Sequence, residues 1–270
     1  MITKFVFPTI LATLLAGCGQ EAPKAPAATQ NTAAANTPKV ESAGPSTEVG
    51  DKSKPLAEYV QINSGRQLLN YFVGLHKMTD DDWKRAADTA NSVSTDPDVF
   101  KQMDFVKEFK ATAESEGAKA AGHRYVYFDL PDLMPRDPIG GHLDAYDFNL
   151  KGFPVPFFAS KKTRDPMTGM TKVTHSRLGF TDTLFASLDL VNSDEFSLLK
   201  VEDESLARSI EAGRKKGQLV DGVTYRPDLR MRAFVFITGT TTSPMRGSFI
   251  TGQVMKIQLR DVKDNVVAEI

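Results

Sequence analysis

Between Asp129 and Asp147 the chain gathers five aspartates, one histidine, three prolines and two glycines. Side chains of this kind bind cations: hard ions take several carboxylate oxygens, and transition metals take imidazole with carboxylate. Asp137, His142, Asp144 and Asp147 are the candidate ligands. Their spacing matches neither a calcium-binding helix-loop-helix nor a helical histidine pair. Pro131, Pro135, Pro138, Gly140 and Gly141 are also what a rigid turn needs. A metal or polar-ligand site and a solvated structural loop are therefore both open readings of this stretch.

Other chemistry is sparse. His76, His123, His142 and His175 are scattered singly, and no Gly-x-Ser-x-Gly elbow is present to present a nucleophile. His175 and Ser176 adjoin on an expected strand, where neighbouring side chains point to opposite faces. The run Gly239–Gly247 lacks the Gly-Lys-Ser/Thr ending of a phosphate loop and joins two expected strands, so it is not read as one. No motif calls for a cofactor, and none is expected. With 33 basic against 34 acidic residues, the charge balance argues against a nucleic-acid partner. Arg226, Arg230, Arg232, Arg246 and Lys256 read either as a basic face for lipid headgroups or glycans, or as the wet side of a sheet.

The single cysteine, Cys18, stands elsewhere. Met1–Lys4 gives a short positive start and Phe5–Leu15 an apolar run too short to span a bilayer. Leu15-Ala16-Gly17-Cys18 closes that run and resembles the lipobox of bacterial lipoproteins. The resemblance implies cleavage between Gly17 and Cys18 and diacylglycerol on the Cys18 sulfur, usually with acylation of the new amine. Two or three acyl chains hold a protein firmly at a membrane. Gly19 follows where aspartate would signal inner-membrane retention in enterobacteria, so an outer-membrane anchor facing the periplasm is expected.

From Cys18 to about Pro55 the composition is Ala, Pro, Thr, Asn, Ser and Gln, with too little apolar surface to offset the entropy of ordering. Such a tether of roughly 35 residues spans about 30 to 35 Å. Residues 56–270 are expected to form a single α+β domain, a helical N-terminal third packed on a mainly antiparallel sheet meander with one inserted helix. Ser64 and Thr79 are expected N-caps of the first two helices, and a third starts near Thr95 or Asp96 with Pro97 in its first turn, stopping at Gly117 or Gly122. After Gly122 the pattern changes to period two, with strands over 125–130, 184–190 and 196–201 and a hairpin of 155–160 with 171–180 around Asp165–Gly169. A helix over 202–216 interrupts them. The last pair sets Met231, Ala233, Val235 and Ile237 on one face, with Met255, Ile257 and Leu259 opposite them.

Tyr146-Asp147-Phe148, followed by Gly152-Phe153-Pro154, resembles a signature of uncharacterised secreted bacterial proteins, which implies no activity. The sequence thus points to an envelope lipoprotein with a non-catalytic binding or scaffolding domain, meeting the membrane through lipidated Cys18 and a protein, glycan or lipid through its fold. Two alternatives are an envelope hydrolase or metal-dependent enzyme with its site in residues 129–147, and a carrier of a hydrophobic ligand or lipid.

Overall fold

The computed structural model describes residues 48–90, 98–130, 143–164, 171–174, 176–180, 183–214, 216–220, 224–243 and 247–270, all within one compact unit. Cys18, most of the tether, the Asp165–Gly169 turn and the Thr95–Pro97 start lie outside them. The class is α+β.

Three helices come first: α1 (Gly65–Leu75), α2 (Asp80–Ala90) and α3 (Val99–Ala121). Ser64 caps α1, its Oγ accepting from the Gln67 N–H, while Gln67 Oε1 accepts from the Asn63 N–H at 2.9 Å. Thr79 and Asp82 cap α2 reciprocally, each side chain accepting from the other's backbone N–H at 3.2 and 3.0 Å. Asp98, later than the expected start, caps α3 by accepting from Phe100 and Lys101. Gly117 does not stop this helix. It lies against Gly74 of α1, where a Cβ on Gly74 would meet the Gly117 carbonyl oxygen at 2.1 Å. The glycine pair lets two helix backbones touch, and α3 runs on to Gly122.

The strands are β1 (Val60–Gln61), β2 (Tyr125–Asp129), β3 (Gly152–Pro154), β4 (Lys161–Arg164), β5 (Thr171–Thr174), β6 (Ser176–Phe180), β7 (Thr183–Leu190) and β8 (Leu198–Lys200). Helix α4 (Glu204–Arg214) follows, then β9 (Gly217–Val220), β10 (Thr224–Pro227), β11 (Arg230–Ser243), β12 (Gly247–Arg260) and β13 (Val266–Glu269). Seven of them form a mixed sheet in the order β1-β2-β11-β12-β7-β6, with β13 also on β12. β1–β2 and β12–β7 are parallel and the other pairs antiparallel, so the chain crosses over within the sheet and does not simply meander.

Two local expectations shift. Val155–Ser160 is a turn, and the hairpin pairs β4 with β5. Val155 and Phe158 are both fully buried, three residues apart, and Phe158 N–H bonds Val155 C=O; that spacing suits a four-residue turn with Pro156 in its second position and not alternation. Met255 leaves the face shared by Ile257 and Leu259. The register passes from Phe234 opposite Lys256 to Val235 opposite Val254, so Met255 is the extra residue of a bulge and turns to the other side.

Between helices and sheet lies the main core, filled by Phe72, Phe128, Phe153, Phe158, Leu188 and Val235 among others. Trp83 and Phe109 centre a smaller cluster between α2 and α3. The opposite sheet face carries Phe234, Phe236 and Met255 with Tyr59. Across it runs the segment from Glu48 to Glu58, of which the part up to Pro55 is placed in the tether by composition alone. Gly50 sits on Phe236 and Met255 so closely that a Cβ would approach both to under 3 Å. The Asp51 N–H donates to Tyr125 Oη at 2.8 Å, and Arg124 pairs with Glu48 at 2.6 Å.

Candidate functional site

The aspartate-rich stretch divides between several environments. Asp129, ending β2, is bound bidentately by Arg232 of β11, its register partner, at 2.7 and 3.0 Å. Both side chains are mostly buried, and the Asp129 carboxylate raises the Arg232 pKa further above its ordinary range, against the cost of desolvation. Arg232 also lies over the Tyr127 ring and near Asp264, while Lys256 pairs with Glu269. Two cations of the supposed basic face are thus neutralised in place. The side chains of Arg226 and Arg246 are outside the described residues.

Of the four candidate ligands, Asp137 and His142 lie outside the described residues. Asp144 is exposed and its N–H donates to Pro154 C=O at 2.8 Å. Asp147 Oδ1 accepts from the Asn149 and Leu150 N–H groups at 2.8 and 3.1 Å. Its backbone exchanges two hydrogen bonds with Gly152. Asp147 therefore ties off a tight turn, which the Asp-x-Asn-Leu spacing signals in advance. Among the described residues, no three His, Cys, Asp or Glu side chains are placed to hold a metal ion. His76 stacks on Phe72, His123 is exposed, and His175 is not among the described residues.

The turn carries a site-like surface. Tyr146 leads into it, its hydroxyl donating to Val201 C=O at 2.9 Å and its ring packed edge-on against Phe153. Phe148 stands edge-on to Tyr146 with 83% of its surface exposed, and Leu150 is half exposed beside it. Lys151 takes a left-handed φ of 51°, a conformation that usually falls to glycine, to bring the chain back into β3. Against this turn lies α4. Together Tyr146, Phe148, Ala207, Ala212, Glu204 and Arg208 line an open cleft of about 440 Å³. Glu211 ties α4 to the turn by accepting from the Tyr146 N–H at 3.3 Å, and is itself held along its own helix by Arg214 at 2.6 and 2.7 Å.

The sequence marks Tyr146-Asp147-Phe148 but gives no sign of the α4 wall, because Ala207 and Ala212 read as an ordinary helix face. The cleft has an apolar floor and a charged rim. No helix among the described residues is long and apolar enough to cross a membrane. Comparison with protein-family models, with curated proteins and with solved structures finds no match to this chain.

Proposed function

We propose that this chain is an envelope lipoprotein, anchored through Cys18, whose folded unit is a non-catalytic binding module recognising its partner at the Phe148 surface. The observation that carries the binding reading is Phe148 itself, a large apolar ring held in water on a closed turn beside an apolar cleft. Leaving such a ring exposed forgoes about 1.5 to 3 kcal/mol of burial, an expenditure that a recognition role accounts for. The anchor rests on Leu15-Ala16-Gly17-Cys18. Its placement at the outer membrane, facing the periplasm, rests on Gly19.

Two measurements test the reading. Metabolic labelling with a clickable palmitate analogue should mark the chain and fail for Cys18→Ala, which should also leave the membrane fraction; an unlabelled, freely soluble parent chain refutes the anchor. Formaldehyde crosslinking in cells should give higher-mass species that Phe148→Asp abolishes at equal chain abundance. Crosslinked species indifferent to that substitution refute the Phe148 surface.

A further inference from the structure

We infer that the partner at the Phe148 surface is a second copy of this chain, joined about a two-fold axis crossing the exposed side of α4. This rests on reading that surface as a recognition site. One patch holds both halves of the contact. Phe148 and Leu150 form a knob, and the cleft floored by Ala207 and Ala212 opens directly beside it. A patch with knob and hole side by side satisfies itself under two-fold rotation, because each copy's knob enters the other's hole.

The knob is already in its bound form. Asp147 bonds the Asn149 and Leu150 N–H groups and both backbone groups of Gly152, so docking Phe148 orders little that is not ordered beforehand. The left-handed Lys151 fits the same reading, since strained backbone is retained where a fixed geometry is needed.

The charges select the same axis. Glu204 and Arg208 stand one turn apart on the rim, 73% and 77% exposed, joined by a pair along their own helix. An antiparallel crossing of two α4 helices, centred between these residues, sets each Glu204 opposite the other copy's Arg208 and puts no like charges together. Exposed Ser205, Ser209 and Ala212 are small enough to let the two helices approach. A uniformly basic or acidic partner would instead face one charge of its own sign.

The test uses the full chain purified in detergent. Two differently tagged copies should co-purify, and sedimentation should give a dimer. Phe148→Asp should weaken it at least ~10-fold, as loss of a central anchor does. Glu204→Arg and Arg208→Glu should each weaken it, and the two together should restore it, a pattern that a purely structural role of these exposed residues would not give. A monomer at about 100 µM, or a dimer indifferent to Phe148→Asp and to the charge reversals, overturns the inference. If the tagged copies stay apart while Phe148-dependent crosslinked species persist in cells, self-association is refuted and the binding module stands with another partner.

Discussion

The Asn192 side chain bonds both backbone groups of Val254: its Nδ2 donates to the Val254 carbonyl at 3.0 Å and its Oδ1 accepts from the Val254 N–H at 2.7 Å. On that edge of β12, pairing with β7 ends at Gly252 and pairing with β13 begins at Gln258. The carboxamide takes the place of a missing strand residue at the Met255 bulge, where unpaired buried backbone groups would be costly.

Asn192→Ala should therefore destabilise the fold by about 1 to 3 kcal/mol, the cost of leaving buried polar groups without partners. Asn192→Asp keeps the acceptor but sets a carboxylate oxygen against the Val254 carbonyl, so at neutral pH it should lose as much as Ala or more, and recover as acid protonates it and restores a donor. Urea unfolding of the three proteins at two pH values measures this; equal stability of parent and alanine variant would show that water substitutes for the side chain.

Helix pairing at Gly74 and Gly117 supplies a second expectation. An exposed helical Gly→Ala change stabilises by up to about 1 kcal/mol. At Gly74 the sign should reverse, with a loss of roughly 1 to 3 kcal/mol or more, because a Cβ there meets backbone that cannot give way. Gly117→Ala, whose nearest contacts are 2.9 to 3.1 Å, should cost less. Thermal unfolding ranks the two, and a stabilised Gly74→Ala protein would show that α1 and α3 do not touch.

The same glycines show what the sequence could tell. Local signals were legible: Ser64 and Thr79 cap as their types dictate, and Met231, Ala233, Val235 and Ile237 line the core as alternation requires. Gly117 was illegible as a crossing point because a glycine that ends a helix and one that admits a neighbour look alike until the neighbour is known. Met255 was misplaced because a bulge inserts one residue without altering composition. The strap's first part, Glu48 to Pro55, looks like tether, since glycine and serine bond as readily to a sheet as to water. At the candidate site, Tyr146, Asp147 and Phe148 stand out through their resemblance to a signature of uncharacterised secreted proteins, whereas the α4 wall is a tertiary property.

The strap should detach without unfolding the domain. Gly50→Val adds bulk against Phe236 and Met255 where a single Cβ already lacks room. Trypsin should then cut after Lys52 faster than in the parent, with the far-ultraviolet circular dichroism unchanged. Equal cleavage rates would mean that the strap contributes no protection.

Asp129 and Arg232 should behave as one unit. Removing either leaves a mostly buried charge without its partner, and a loss of about 2 to 4 kcal/mol is expected for Asp129→Ala or Arg232→Ala. The double variant should lose clearly less than the sum of the two, since the second truncation removes the orphan left by the first. A double-mutant cycle by chemical denaturation measures the coupling, and strict additivity would mean that water already screens the pair.

Stability should hold across neutral pH and decline at both ends, for different groups. A hydrogen bond from Arg260 holds the Asp264 carboxyl below its ordinary value, and hydrogen bonds from Lys256 and Gln258 do the same for Glu269. Burial would raise Asp82, but its bonds to Thr79 and Arg85 outweigh this and lower it. A carboxyl lowered on folding is protonated first in the unfolded chain, so its contribution is complete above about pH 4 to 5 and disappears as the pH falls through the folded value. At the alkaline end, burial pushes Tyr59 and Tyr71 up to about 12. Each stays neutral in the fold while its unfolded counterpart ionises near 10, so their contribution is complete below that value and is lost as the pH climbs toward 12. Melting temperatures should form a plateau bounded on these two sides. Lys256→Met should remove part of the acid limb and leave the alkaline one unchanged; Tyr71→Phe should shorten the alkaline loss and spare the acid limb. A profile in which either substitution moves the opposite limb would contradict these assignments.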